Sequence, residues 1–356
     1  MAPLTVAVTG ASGYVGTRLV RSLCADDRVE RVLGFDLRPP GFQSDKLVFD
    51  ILDIRDERLA SRLKGVDALV HLAFVMDPIR DTSEMHDVNV GGSQNVFNCA
   101  AGASVGKIVY SSSATVYGAH PNNDYPLTED SPLRANLDFS YAAHKLEVEY
   151  IVKEFRSEHA HVAVTQYRPA IVFGPHVDNV WSRFMEYPVL FGVKGYAPPF
   201  QFVHEDDVAS ALQFAVFNDL DGDYNLAPRG WLENDETAEL IGRKPTKLSE
   251  QRAFPIMERL WRAGMAEAPA GMLHYVMHPW VIAADKLAGA GFVCTKSNSD
   301  ALTEALSHMR PFVQIGRARL RKTTLAKGAV VAVGLGVAAA STWRQRGGLG
   351  RTAGHN

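Results

Sequence analysis

Thr9-Gly10-Ala11-Ser12-Gly13-Tyr14-Val15-Gly16 lies between a β-branched run, Thr5-Val6-Ala7-Val8-Thr9, and a stretch from Tyr14 to Ala25 with apolar residues at helical spacing. Strand, glycine-rich turn and helix in that order form the place where a dinucleotide pyrophosphate meets a helix N-terminus. Gly10 permits the tight turn, Gly13 lets backbone approach phosphate, and Gly16 lets the helix pack on the sheet. Ser12, Tyr14 and Val15 complete the expected cofactor loop. Asp36 ends the next strand candidate about 20 residues after the last glycine, where a carboxylate accepts the ribose hydroxyls and repels a 2′-phosphate. NAD is therefore expected over NADP, with Arg38 as the feature that softens the preference; the ordinary alternative for Asp36 is a loop-entry residue.

Working outward, strand patterns at 31–36, 46–51, 68–73 and 107–111 alternate with helix-like stretches at 56–64 and 87–101, followed by a helix at 140–158 and a strand at 161–168. That alternation predicts an α/β fold with a doubly wound parallel sheet. Residues 1–175 read as the cofactor domain, with sheet elements returning from 200–226. Pro169, Pro175, Pro188, Pro198 and Pro199 mark excursions that predict a smaller, mixed substrate lobe over 176–310.

A chain of 356 residues is long enough for two folding units. Its net charge of -3 offers no general field for nucleic acid, so the expected partner is a small-molecule substrate. Three scattered cysteines fit neither a disulfide framework nor metal spacing. The strand-like start leaves no room for a signal peptide, which predicts a cytoplasmic protein. No motif supports a metal.

Ser111-Ser112-Ser113-Ala114-Thr115-Val116-Tyr117-Gly118 follows a strand, and Tyr141-Ala142-Ala143-His144-Lys145 opens a helix. Tyr141 and Lys145 share a helix face, so the ammonium is expected to favour a phenolate able to accept a proton. The plain alternative is an exposed helical pair.

Together these pieces resemble an extended short-chain dehydrogenase/reductase of the NAD-dependent epimerase/dehydratase group, from about Thr5 to about Leu306. The likeness also rests on Asp53-Ile54, His71-Leu72-Ala73, Asn89-Val90-Gly91, Tyr167-Arg168-Pro169 through Gly174-Pro175, Phe202-Val203-His204-Glu205-Asp206-Asp207-Val208, and Asp285-Lys286-Leu287 through Gly291-Phe292. It implies a Rossmann-type sheet, Tyr141 as the acid/base, Ser113 hydrogen-bonded to the reacting oxygen, and Lys145 on the nicotinamide ribose. It further implies Asp53 and Ile54 beside the adenine, Leu72 and Ala73 along the phosphate-ribose path, and Asn89 as a structural partner counted with the cofactor-binding set. Arg168 and Pro169 would pack the nicotinamide amide edge, with a structural salt bridge as the alternative for Arg168. His71 and His204 read as packing histidines.

The chain departs from many nucleotide-sugar members at Ile171, where they carry asparagine, and at Phe200 and Gln201, where they carry Arg-Asp. An aromatic ring cannot neutralise a diphosphate. With Trp181, Phe184, Met185, Tyr187, Leu190, Phe191 and Tyr196 nearby in sequence, the expected substrate is rather apolar, of steroid, terpenoid or lipid type. The expected reaction is NAD-dependent hydride transfer at a secondary alcohol or ketone; the alternatives are a nucleotide-sugar epimerase or dehydratase, and a non-catalytic NAD-binding scaffold.

The segment 311–356 holds eight Lys or Arg and no acid. Its uncharged run, extended to 323–343, would span about 31 Å as a helix. Gly328, Ala332, Gly336 and Ala340 form a small-residue stripe suited to helix pairing and hence to a homodimer. The tail is therefore read as a tether to the inner membrane face.

Overall fold

Val6, Ala7 and Val8 are fully buried in β1 (Leu4–Thr9), as a parallel strand covered on both faces requires. The computed structural model describes residues 2–186, 190–309, 312–315 and 318–321. After β1 come α1 (Tyr14–Ala25), β2 (Val29–Asp36), β3 (Leu47–Ile51), α2 (Leu59–Arg62), β4 (Ala68–His71), α3 (Thr82–His86), α4 (Gly92–Gly102), β5 (Lys107–Ser111), α5 (Ser140–Glu158) and β6 (Ala163–Pro169). Then follow β7 (Ile171–Phe173), α6 (Val180–Glu186), β8 (Phe191–Val193), β9 (Phe202–His204), α7 (Glu205–Phe217), β10 (Gly222–Leu226) and β11 (Thr246–Leu248).

Seven strands form one parallel sheet in the order β10-β6-β5-β4-β1-β2-β3. Alternate residues of β1 feed two cores. Val6 and Val8 join Leu19 and Leu23 of α1 and Leu212 of α7, whereas Ala7 joins Phe97 of α4 and Val152 of α5. The doubly wound, Rossmann-like architecture is thus the expected one. Strand order reverses between β1 and β4, which opens a crevice at their carboxyl ends. Away from the sheet, β7 pairs with β9 and β8 with β11, both in parallel.

Some elements differ from the sequence expectation. The helix at 56–64 contracts to α2, because Asp56 caps the amide and guanidinium of Arg58 and tight turns precede it. The helix at 87–101 begins as a π turn, Asp87–Gly91, and continues as α4. That wider turn carries buried Asn89, whose side chain reaches Val75.

The described residues up to 309, Glu186 apart, form one compact unit, and Phe312–Ile315 pairs antiparallel with Ala318–Arg321. Tyr187 and the tail segment 323–343 lie outside the described residues. No helix among the described residues is long and apolar enough to cross a membrane.

Candidate active site

The glycine loop turns at the end of β1. Gly10 has φ +71, and a Cβ there would meet the Ala73 amide nitrogen at 2.7 Å and the Leu72 carbonyl carbon at 2.8 Å. A Cβ on Gly16 would run into the Gly10 carbonyl oxygen. These approaches bring the loop, α1 and the Leu72-Ala73 backbone together at the crevice. Gly13 caps α1 without a side-chain hydrogen bond, and the first turn contains no acid. Such an uncapped N-terminus suits a pyrophosphate, so the residues fit a dinucleotide.

Asp36 holds the loop in place. One carboxylate oxygen accepts from the Ser12 amide at 3.0 Å and the other from the Arg38 amide at 3.1 Å, while the Ser12 hydroxyl donates to the Arg38 carbonyl. Each carboxylate oxygen keeps acceptor capacity for a ribose hydroxyl. Thr9 braces the other side, receiving the Leu72 and Ala73 amides on its hydroxyl at 3.3 Å. Buried His71 lies 2.7 Å from that hydroxyl and 3.0 Å from Ser93 Oγ. Burial pushes its pKa down to about 3, so it is a neutral, satisfied packing histidine. His204 likewise caps α7 by accepting from the Asp206 amide.

Several expected cofactor residues have partners within the chain. Asp53 is forked to Arg55 at 2.7 Å, which holds its carboxyl below the usual range, and Ile54 turns inward against Gly92. Asn89 is fully buried, and its amide bonds both the N–H and the carbonyl of Val75, so it braces that segment. Arg168 requires the clearest correction. It is 2% exposed, ion-paired with Glu149 at 2.6 Å and Asp223 at 3.0 Å, and bonded to the Tyr117 hydroxyl. Its guanidinium is consumed by a structural salt bridge, and Pro169 is buried opposite Leu226.

Across the crevice, Tyr141 occupies the first turn of α5 and Lys145 the next. The Ser113 hydroxyl accepts from the Thr115 N–H at 3.2 Å and from the Thr115 hydroxyl at 3.0 Å. Lys145 Nζ donates to the Ser111 carbonyl at 2.7 Å and lies 3.6 Å from the Phe74 ring centroid. The expected depression of the tyrosine pKa is absent. Burial pushes Tyr141 up to about 12 and lowers Lys145 to about 7. Helical spacing brings the pair to one face, but the ammonium is anchored toward β5 and is 6.0 Å from the Tyr141 ring centroid.

Rings continue from Tyr141 through Phe139 (5.8 Å), Tyr275 (5.6 Å), Trp280 (5.1 Å) and Trp181 (5.9 Å). Ile171 is buried in β7. Gln201 is spent on backbone, donating to Gly230 and Ile282 and accepting from Ile282, while Phe200 stacks on Phe202. Phe191 is exposed and Tyr196 bonds Glu250, so not all the expected aromatic residues line the site.

Sequence reading missed three features. Phe74 directly follows the His71-Leu72-Ala73 segment. Glu149 lies one turn beyond Lys145 on the same helix, a spacing that could have revealed it. Arg183 ties Asp77, Asp178 (2.8 Å) and Glu267 (3.1 Å) into one node, which no local pattern announces.

A protein of Sinorhizobium fredii with no assigned function is 31% identical over 289 residues, covering 77% of this chain and 70% of its own. Sterol demethylase protein B of Methylococcus capsulatus is 34% identical over 184 residues, 48% of this chain and 52% of that protein. Among solved structures, the dTDP-glucose 4,6-dehydratase DesIV of Streptomyces venezuelae, with NAD bound, superposes with a TM-score of 0.69 at 23% identity, covering 86% of this chain and 96% of that one. The family model of the NAD dependent epimerase/dehydratase family matches residues 6–227, which run from β1 past β10 and include the glycine loop, Ser113, Tyr141 and Lys145, and the chain belongs to that family.

Proposed function

We propose that the protein is an NAD-dependent oxidoreductase that interconverts a secondary alcohol and a ketone on a rather apolar, steroid-, terpenoid- or lipid-like substrate. The observation that carries this reading is the shared helix face of Tyr141 and Lys145 at the crevice, with Lys145 Nζ donating to the Ser111 carbonyl at 2.7 Å beside the Ser113 segment. Gly10, Gly13 and Gly16 with the α1 N-terminus hold the pyrophosphate, and Asp36 holds the adenosine ribose. Bound NAD supplies the hydride acceptor or, reduced, the donor.

Ser113 donates to the reacting oxygen and fixes it beside the phenol. In the reductive direction Tyr141 gives its proton to that oxygen, and its raised pKa keeps the phenol protonated for this step. In the oxidative direction the same oxygen returns the proton to a tyrosinate. Lys145, with a pKa near 7, stabilises that tyrosinate when charged and holds the nicotinamide ribose.

The apolar preference rests on the absence of a spare cation among the groups described at the site. Arg168 is consumed by Glu149 and Asp223, Arg183 faces three carboxylates, and position 200 is an aromatic ring. A diphosphate would meet net negative charge at the Arg183 node. The sterol demethylase relative supports the same class, whereas the dehydratase-like fold favours a nucleotide sugar as the second reading.

Purified protein assayed with steroid, terpenoid and lipid alcohols, beside UDP- and dTDP-sugars, tests both readings. NADH formation from the first group alone is expected; turnover only of the sugars overturns the apolar assignment. Tyr141→Phe should lower turnover by about 100- to 10,000-fold with NAD affinity retained. Near-normal turnover would remove Tyr141 from the mechanism.

A further inference from the structure

Phe74 stands in the crevice directly after Leu72 and Ala73, and it touches both members of the Tyr141–Lys145 pair. Lys145 Nζ lies 3.6 Å from its ring centroid, within the range of a cation–π contact, and the Tyr141 ring meets it edge-on at 5.7 Å and 87°. The Tyr110 ring lies farther from the ammonium, at 4.9 Å. Asn89 supports this placement by clamping the adjacent Val75 backbone through both of its polar groups.

We propose that Phe74 is a positioning residue for the reactive pair: its face holds the charged form of Lys145 against the end of β5 while its edge fixes the Tyr141 ring. The proposal deepens the reading above, because it assumes that this pair does the chemistry.

The lysine has few other means of remaining charged. On its own helix it faces Tyr141 and Glu149, and Glu149 is already engaged by Arg168 and Ser112. From β5 it meets the Tyr110 hydroxyl at 3.4 Å and the Ser111 carbonyl. From β4 it faces neutral His71. The buried ammonium therefore leans on one carbonyl, a long contact to the Tyr110 hydroxyl, one carboxylate already shared and the Phe74 ring. Burial places its pKa near 7 in the folded state, below the ordinary lysine value of 10.5. Between those values the unfolded chain binds the extra proton, so stability rises with pH across that window. Below it the folded protein carries the charge, and there the aromatic face offsets part of the burial cost.

The test is a double-mutant cycle of Phe74→Leu with Lys145→Met, read by urea unfolding without substrate or cofactor at about pH 6 and about pH 9. Leucine keeps an apolar side chain and removes the π face. Phe74–Lys145 coupling should amount to about a two- to thirtyfold change in the unfolding constant at the lower pH and should be much smaller at the higher one. Phe74→Tyr, which keeps the ring, should restore it. Phe74→Met serves as a second aliphatic variant should the leucine variant fail to fold.

Equal coupling at both pH values, or none at either, overturns the proposal and leaves Phe74 as packing. Because the cycle contains no substrate, its failure is separable from failure of the catalytic reading, which Tyr141→Phe turnover decides.

Discussion

The cofactor side of the crevice is built from backbone that the chain brings together between Thr9 and Ala73, whereas the substrate side is built from side chains drawn from separate segments between Ser113 and Trp280. On the first side, Gly10 and Gly16 allow contacts that a Cβ would forbid, and Asp36 and Thr9 tie the approaching amides. On the second, Phe139, Tyr275, Trp280 and Trp181 meet across long stretches of sequence, and Arg183 gathers Asp77 and Glu267 from distant segments. A site made by backbone is written in residue types at fixed spacing; a site made by side chains depends on how distant segments pack.

Three substitutions would break or sharpen that contrast. Arg168→Leu should have the largest effect. It leaves Glu149 buried without its cation, and removal of one member of a buried pair costs about 3–5 kcal/mol. Urea unfolding should show that loss, while calorimetry on the folded variant should find NAD affinity little changed. Loss of NAD affinity with normal stability would return Arg168 to the cofactor side.

Asp36→Asn should have an intermediate effect. Hydrogen bonds to a charged group contribute about 1.5–3 kcal/mol, so NAD affinity should fall by roughly tenfold or more while NADP affinity holds or rises. Calorimetric titration with both cofactors measures this. An equal loss for both would mean that Asp36 only stitches Ser12 to Arg38.

Asp178→Asn should have the smallest effect. Its carboxylate is mostly exposed, and such pairs contribute about 0–1 kcal/mol. Removing one charge from the Arg183 node should raise affinity for UDP by a few-fold at most. No gain, measured at low salt where the charge is least screened, would mean that the node does not govern anion entry.

Much of the cofactor side was legible because its constraints are local. The turn at Gly10, the carboxylate ending β2 and helix α5 at 140–158 all follow from short-range rules. Electrostatics were less so. Tyr141 and Lys145 share a face as their spacing requires, yet burial raises the phenol and lowers the amine, and the carbonyl of Ser111 draws the ammonium aside. Arg168 looked equally suited to cofactor and salt bridge until Glu149 appeared beside it.

The sequence by itself determined the parallel doubly wound sheet, the glycine loop and the placing of Tyr141 and Lys145 on one helix face, since periodicity and motif spacing act over a few residues. Only the tertiary structure decided which charges are free and which are spent: Arg168 on Glu149, Arg183 on three carboxylates, Lys145 against Phe74. The physical reason is that burial and partner distance set the worth of a charge, and both arise when segments far apart in the chain come into contact.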